Sequence, residues 1–110
     1  MMKLSAREFD RAVQRAVKRI PGEIRKHLDN IVISVQKWPS KELLEEMGLP
    51  PDEPLLGVYT GASLMERSHF DMLQYPDMIQ IFQEPLEEMC ETMEELEEEI
   101  EITVVHEVAH

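Results

Sequence analysis

Ile102-Thr103-Val104-Val105-His106-Glu107-Val108-Ala109-His110 admits two readings, and the choice between them decides the fold. Ile102-Thr103-Val104-Val105 is β-branched, which by propensity alone suits a strand. A strand would set His106 and His110 on one face about 13 Å apart, too far for one metal ion. The residues upstream argue the other way. Leu96, Ile100, Val104 and Val108 step at four-residue intervals through a glutamate-rich stretch of strong helix formers. The spacing predicts a helix from Glu94 to the chain end, with both imidazoles on one face and about one turn apart.

On such a helix the two imidazoles suit two nitrogen ligands of one zinc ion, and Glu107 points toward the open coordination position. There a carboxylate can take a proton from water whose pKa the metal has lowered to roughly 7, which is the arrangement of a zinc peptidase. Val104, Val105, Val108 and Ala109 make apolar surroundings in which an ionised glutamate without a role is costly, and they place the motif inside the domain. The competing reading is an amphipathic helix with two incidental histidines near a C-terminus, where the helix dipole mildly favours them.

Working outward from this helix, the period changes several times. Ser5 with Glu8 fits a capping box, and Phe9, Ala12, Val13, Ala16, Val17 and Ile20 recur at helical spacing, predicting a helix over Ser5 to Ile20. Its other face carries Arg7, Arg11, Arg15, Lys18 and Arg19, which can dock on an acidic segment or meet solvent, the commoner case. Pro21 opens a short helix through Leu28. Ile31 to Trp38 is β-branched and stops at Pro39, so it reads as a largely buried strand. Ser40 caps a helix that ends at Gly48, and a proline-marked loop follows. Leu55 to Thr60, closed by Gly61, and Met78 to Gln83 read as two further strands, joined by a long loop over Ala62 to Asp77 of the kind that frames binding clefts. Pro85 starts a helical stretch through about Met93. There is no internal repeat, and the class is α+β.

With 110 residues, 43% of them hydrophobic, the chain supports one compact domain. The net charge of -12 at pH 7 repels nucleic-acid phosphates and excludes nucleic-acid binding. That charge is polarised: residues 1–67 hold all 11 basic residues and are nearly neutral, while residues 68–110 carry 13 acids and no Lys or Arg. Ten of those acids are glutamates between Glu84 and Glu101, either a solvated helix face or a surface for a basic partner. No apolar run approaches the roughly 18 residues of a membrane helix, and the first residues lack a signal-peptide apolar region, so a soluble, cytoplasmic protein with no membrane partner is expected. Cys90 is the single cysteine, which excludes a disulfide framework and a cysteine-built metal cage. A metal site must use histidines and carboxylates.

Four segments together carry a resemblance. Leu55-Leu56-Gly57-Val58-Tyr59-Thr60-Gly61, Glu66-Arg67-Ser68, Pro76-Asp77-Met78-Ile79-Gln80-Ile81-Phe82 and Val104 to His110 resemble, in order and spacing, the minimal zincin family of small bacterial zinc metallopeptidases. The resemblance implies a reduced zincin-like fold, with a small mixed β-sheet of about three to four strands packed on helices and a C-terminal HExxH active-site helix. It implies zinc as the cofactor, His106 and His110 as metal ligands, Glu107 as general base, and a peptide or protein substrate. Family members continue past the second histidine with a glycine turn and a third ligand. This sequence stops at His110, so residues 1–110 are expected to form a single domain lacking the C-terminal part that carries that ligand. The terminal carboxylate of His110, His69 and Asp71 are alternatives for completing the site.

Among the other candidates, His27 reads as a surface residue beside Lys26, Cys90 as an inert thiol, and Tyr59 and Tyr75 as possible donors to a tetrahedral intermediate. Two functions follow. The first is a zinc metallopeptidase whose cleft is lined by the strand near Leu55 to Gly61 or by Met78 to Gln83, where an extended peptide could pair with an exposed edge. The second is a non-catalytic interaction module that uses an acidic helix over Glu84 to Glu101 to engage a basic protein.

Overall fold

A computed structural model describes residues 2–60 and 77–109. Helix α1 spans Ala6–Arg19, opened by the expected capping box, in which Ser5 Oγ accepts from Glu8 N–H and the Glu8 carboxylate accepts from Ser5 N–H. Short helix α2, Gly22–Arg25, continues as a 3-10 turn over Lys26–Leu28. Strand β1 covers Ile31–Gln36 and helix α3 covers Lys41–Glu46. Gly48 terminates α3 at φ 71°, with Gly48 N–H donating to Glu45 O and Leu49 N–H to Leu44 O, the double bond pattern that a left-handed residue makes possible. Strands β2, Gly57–Thr60, and β3, Asp77–Phe82, lead into α4, Gln83–Met89, and α5, Met93–Val108.

The three strands form a mixed sheet in the order β1-β3-β2, with β1 parallel and β2 antiparallel to β3. Residues Ile79 and Ile81 of β3 point to one face and join Phe9, Ala12, Val13 and Ala16 of α1 and Leu96, Ile100 and Val104 of α5 in the core. Every one of these is buried. Leu44 and Phe82 are fully buried outside that cluster, and the alternation along β3 puts Phe82 on the opposite face of the sheet. Arg15 and Arg19 of α1 reach across to α5, with Arg15 Nε 2.8 Å from Glu97 Oε2 and Arg19 Nε 3.2 Å from Glu101 Oε1. Part of the basic face of α1 therefore docks on the acidic segment rather than facing solvent alone.

Three expectations need correction. Strand β1 ends at Gln36 and is half-buried rather than largely buried, with Val32 44% exposed. Its only sheet neighbour among the described residues is β3, so among those residues no strand pairs with its other edge. Asp77, read as the end of a loop, is the first residue of β3 and pairs with Ile31; the rest of that loop lies outside the described residues. The acidic stretch is two helices. Helix α4 stops at Met89, with Cys90 and Glu91 extended or bent before Thr92 opens α5 through its own capping box with Glu95. Among the described residues no helix is long and apolar enough to cross a membrane.

Candidate active site

The segment Ile102 to Val108 is helical, and Ala109 follows at the C-cap with φ -74° and ψ -11°. Packing decides against the strand propensity: Leu96, Ile100 and Val104 bury one stripe of α5, and Thr103 Oγ1 donates to Glu99 O at 2.8 Å, satisfying its hydroxyl within the helix. The fully buried stripe ends at Val104. Val105, Glu107 and Val108 are half-buried and His106 is exposed, so the HExxH segment lies at the surface end of the helix, not inside the domain as its apolar neighbours suggested.

Helix α5 runs beside β2 with matched spacing. One helical turn of four residues rises about 6 Å and two strand residues rise about 6.8 Å, so Thr103 and Glu107 meet Gly57 and Tyr59 in step. At Gly57 the approach is too close for a side chain, since a Cβ there would stand 2.6 Å from Thr103 Cγ2. At Tyr59 the contact is polar: its backbone N–H donates to Glu107 Oε1 at 3.0 Å. Phe82 N–H donates to Leu56 O, and by antiparallel alternation this turns the N–H groups of Gly57 and Tyr59 away from β3, toward the outer edge of the sheet.

This contact forms one side of a cleft of about 700 Å³, within the usual range for ligand sites. Helix α5 contributes Val105, Glu107 and Val108, β2 contributes Tyr59, and β3 contributes Asp77. The opposite side comes from Ile24, His27, Asn30 and Ile31. The Tyr59 hydroxyl donates to Asp77 Oδ2 across the strand pair. That hydrogen bond to the carboxylate, with burial and the carboxylate's charge behind it, pushes the phenol above the ordinary tyrosine range. Tyr59 is thus a neutral donor whose proton is engaged by Asp77.

Of the residues singled out in the sequence, Glu107 and Tyr59 come together at this cleft, and His106 stands next to Glu107 on the last turn of α5. His110, His69, Asp71 and Tyr75 lie outside the described residues. Imidazole and carboxylate are zinc donors, so the chemistry of His106 and Glu107 at the end of α5 fits a zinc ion. Among the described residues no three His, Cys, Asp or Glu side chains gather as a metal cage. Cys90 is buried, and burial, then Glu99 and Glu95, raise its thiol pKa, as befits an inert position.

Strand β3 is paired on both sides, so Met78 to Gln83 offers no edge to a peptide. On β2 the outward N–H of Tyr59 is already engaged by Glu107. Sequence reasoning placed Asp77 only at the end of a cleft-framing loop and missed His27 as a cleft residue. His27 is exposed, as expected, yet it lines the cleft because the 3-10 turn sets it ahead of β1, whose first residue pairs with Asp77. No local sequence signal reports a neighbour fifty residues away.

The sequence model of one family, zincin-like metallopeptidase, matches residues 28–110. Comparison with individual curated proteins gives no match.

Proposed function

The chain belongs to the zincin-like metallopeptidase family, and from that premise we propose that it hydrolyses peptide bonds, with Glu107 as general base beside a zinc ion held by His106 and His110. The observation that carries this reading is the hydrogen bond from Tyr59 N–H to Glu107 Oε1, which supports a carboxylate held in a fixed direction at the cleft. Fixing one oxygen through the backbone leaves Oε2 to accept a proton without a reorientation cost. His106 and His110 would hold the zinc ion, which would supply the Lewis acidity that lets water lose a proton near neutral pH. Glu107 would receive that proton and return it to the leaving amine. The half-buried Val105 and Val108 limit water around the carboxylate and strengthen its electrostatic interactions.

The interaction-module reading draws less support. Glu87 is buried and accepts from Leu4 N–H, Glu95 is committed to the cap of α5, and Glu97 and Glu101 pair with arginines of α1. These four glutamates are part of the fold. The test is zinc content and affinity of the 110-residue chain with and without His106→Ala, alongside hydrolysis of a mixed peptide library. Stoichiometric zinc lost on substitution, with hydrolysis lost in Glu107→Gln, is the expected outcome. Zinc binding indifferent to His106→Ala would overturn the assignment.

A further inference from the structure

We propose that Asp77 and the Tyr59 hydroxyl form a positioning pair for Glu107: the phenol, anchored on Asp77, holds the backbone N–H of Tyr59 where it fixes the Glu107 carboxylate. This rests on the peptidase reading for the role of Glu107, whereas the anchoring stands on two hydrogen bonds made by one residue. Through its backbone N–H, Tyr59 donates to Glu107 Oε1 at 3.0 Å, and through its hydroxyl it donates to Asp77 Oδ2.

The strand pairing shows why the anchor matters. Strand β2 has four residues, Tyr59 is the one before its end, and Glu107 lies on the last turn of α5. Such element ends open most readily. Because Phe82 N–H donates to Leu56 O, antiparallel alternation assigns the ladder bonds on this side of β3 to Leu56, Val58 and Thr60, and Tyr59, opposite Ile79, makes none. The backbone of Tyr59 is held to β3 through its neighbours, and its side chain supplies the direct tie. Asp77 precedes Ile79 by two residues and so shares a face with Tyr59, on a diagonal that an aromatic side chain spans. Displacing a catalytic group by about 1 Å can cost about 10²-fold in rate, so a tie at this strand end bears on the chemistry. Phenylalanine at position 59 would fill the same half-buried space and lose only the tie. Asp77 engages in a further interaction besides the phenol, so substitutions there report on more than one contact. Tyr59→Phe removes a single oxygen and is the deciding variant.

Native-state hydrogen exchange of the full chain, read amide by amide by NMR, needs neither zinc nor substrate. Glu107→Ala should speed exchange of the Tyr59 amide at least about tenfold, which establishes its acceptor. Tyr59→Phe should speed exchange at position 59 by about tenfold, the loss that one hydrogen bond to a charged group allows, and leave the amides of Gln80 and Ile81 within about twofold. Asp77→Ala should match it, whereas Asp77→Asn, whose carbonyl still accepts from the phenol, should keep most of the protection. In hydrolysis of one fluorogenic peptide taken from the library, Tyr59→Phe should lower kcat by about fivefold to tenfold with KM changed by less than about twofold. Should Asp77→Ala fail to fold, Tyr59→Phe and Asp77→Asn decide. Unchanged exchange at position 59 in Tyr59→Phe, equal acceleration across β2 and β3, or a loss of hydrolysis carried by KM would overturn the proposal. The peptidase reading fails separately: local acceleration at position 59 with no hydrolysis by the wild-type chain removes the enzyme and keeps the anchored carboxylate. Hydrolysis by the wild-type chain with unchanged exchange in Tyr59→Phe does the reverse.

Discussion

Replacing Gly57 with alanine tests the contact that sets α5 against β2. The new Cβ would lie 2.6 Å from Thr103 Cγ2 and 3.1 Å from Gln80 O, whereas carbon atoms in good contact stand about 3.5 to 4.0 Å apart. The helix and strand must part by about 1 Å, because Thr103 cannot swing away. Its χ1 is stiff, its residue is only 8% exposed, and its Oγ1 is tied to Glu99 O. Overpacking of this kind costs about 1–3 kcal/mol. Alanine restores about 0.4–1 kcal/mol by narrowing the unfolded ensemble, so a net loss of about 1–2 kcal/mol is expected. Thr103→Ser removes Cγ2 and keeps the hydroxyl, at a cost of about 1 kcal/mol on its own. In the double variant the alanine Cβ takes the vacated space, so the two changes should couple favourably by about 1 kcal/mol, the Gln80 contact limiting the relief. Equilibrium urea unfolding of the four proteins measures this cycle. A cost below about 0.5 kcal/mol for Gly57→Ala, or strict additivity of the two changes, would refute the packing argument.

Other predictions follow from the same geometry. Glu107→Gln keeps an acceptor for Tyr59 N–H, so the fold should survive by circular dichroism while peptide hydrolysis falls by at least about 10²-fold, the usual share of a general base. Thr92→Ala removes the cap of α5 and should lower stability by about 1 kcal/mol in urea unfolding. Glu8 and Glu95 are held below the ordinary carboxylate range by the backbone N–H groups of Ser5 and of Glu91 and Thr92. Their folded pKa values are depressed, so their contribution is present above the unfolded carboxylate pKa and is lost as pH falls through the folded one. A urea midpoint that declines on acidification, and declines less when Glu8→Gln and Glu95→Gln are combined, is the expected result. Tyr59 has the opposite sign: its phenolate should form, by ultraviolet absorbance, only above the usual tyrosine range of about 10, and Asp77→Asn should bring it back down.

Much of the fold is legible in short-range chemistry. Ser5 with Glu8, Gly48 after Met47, and the four-residue step from Leu96 to Val104 each report a helix boundary or face from residues within a turn or two, and each is where it was expected. The capping signal of Thr92 with Glu95 is equally local, but the glutamates on either side obscure it, and the sequence sets the break between the two helical stretches at Met93 and Glu94 where the structure sets it at Cys90 to Thr92. The HExxH spacing likewise belongs to the sequence, because a helix converts four residues into one turn whatever surrounds it.

The rest was decided in three dimensions. That β3 takes the centre of the sheet, that β1 is left at an edge, and that Asp77 opens a strand depend on which strand pairs with which, and strand patterns alone carry no such label. The cleft depends on it too: Tyr59 N–H reaches Glu107 across 48 positions of chain, and His27 faces the same space because β1 lies parallel to β3. Periodicity and capping are properties of neighbours along the chain, so the sequence determined the helices and the motif they carry. Which carboxylate meets which backbone donor is a property of neighbours in space, and only the packing of α5 against β2 fixed it.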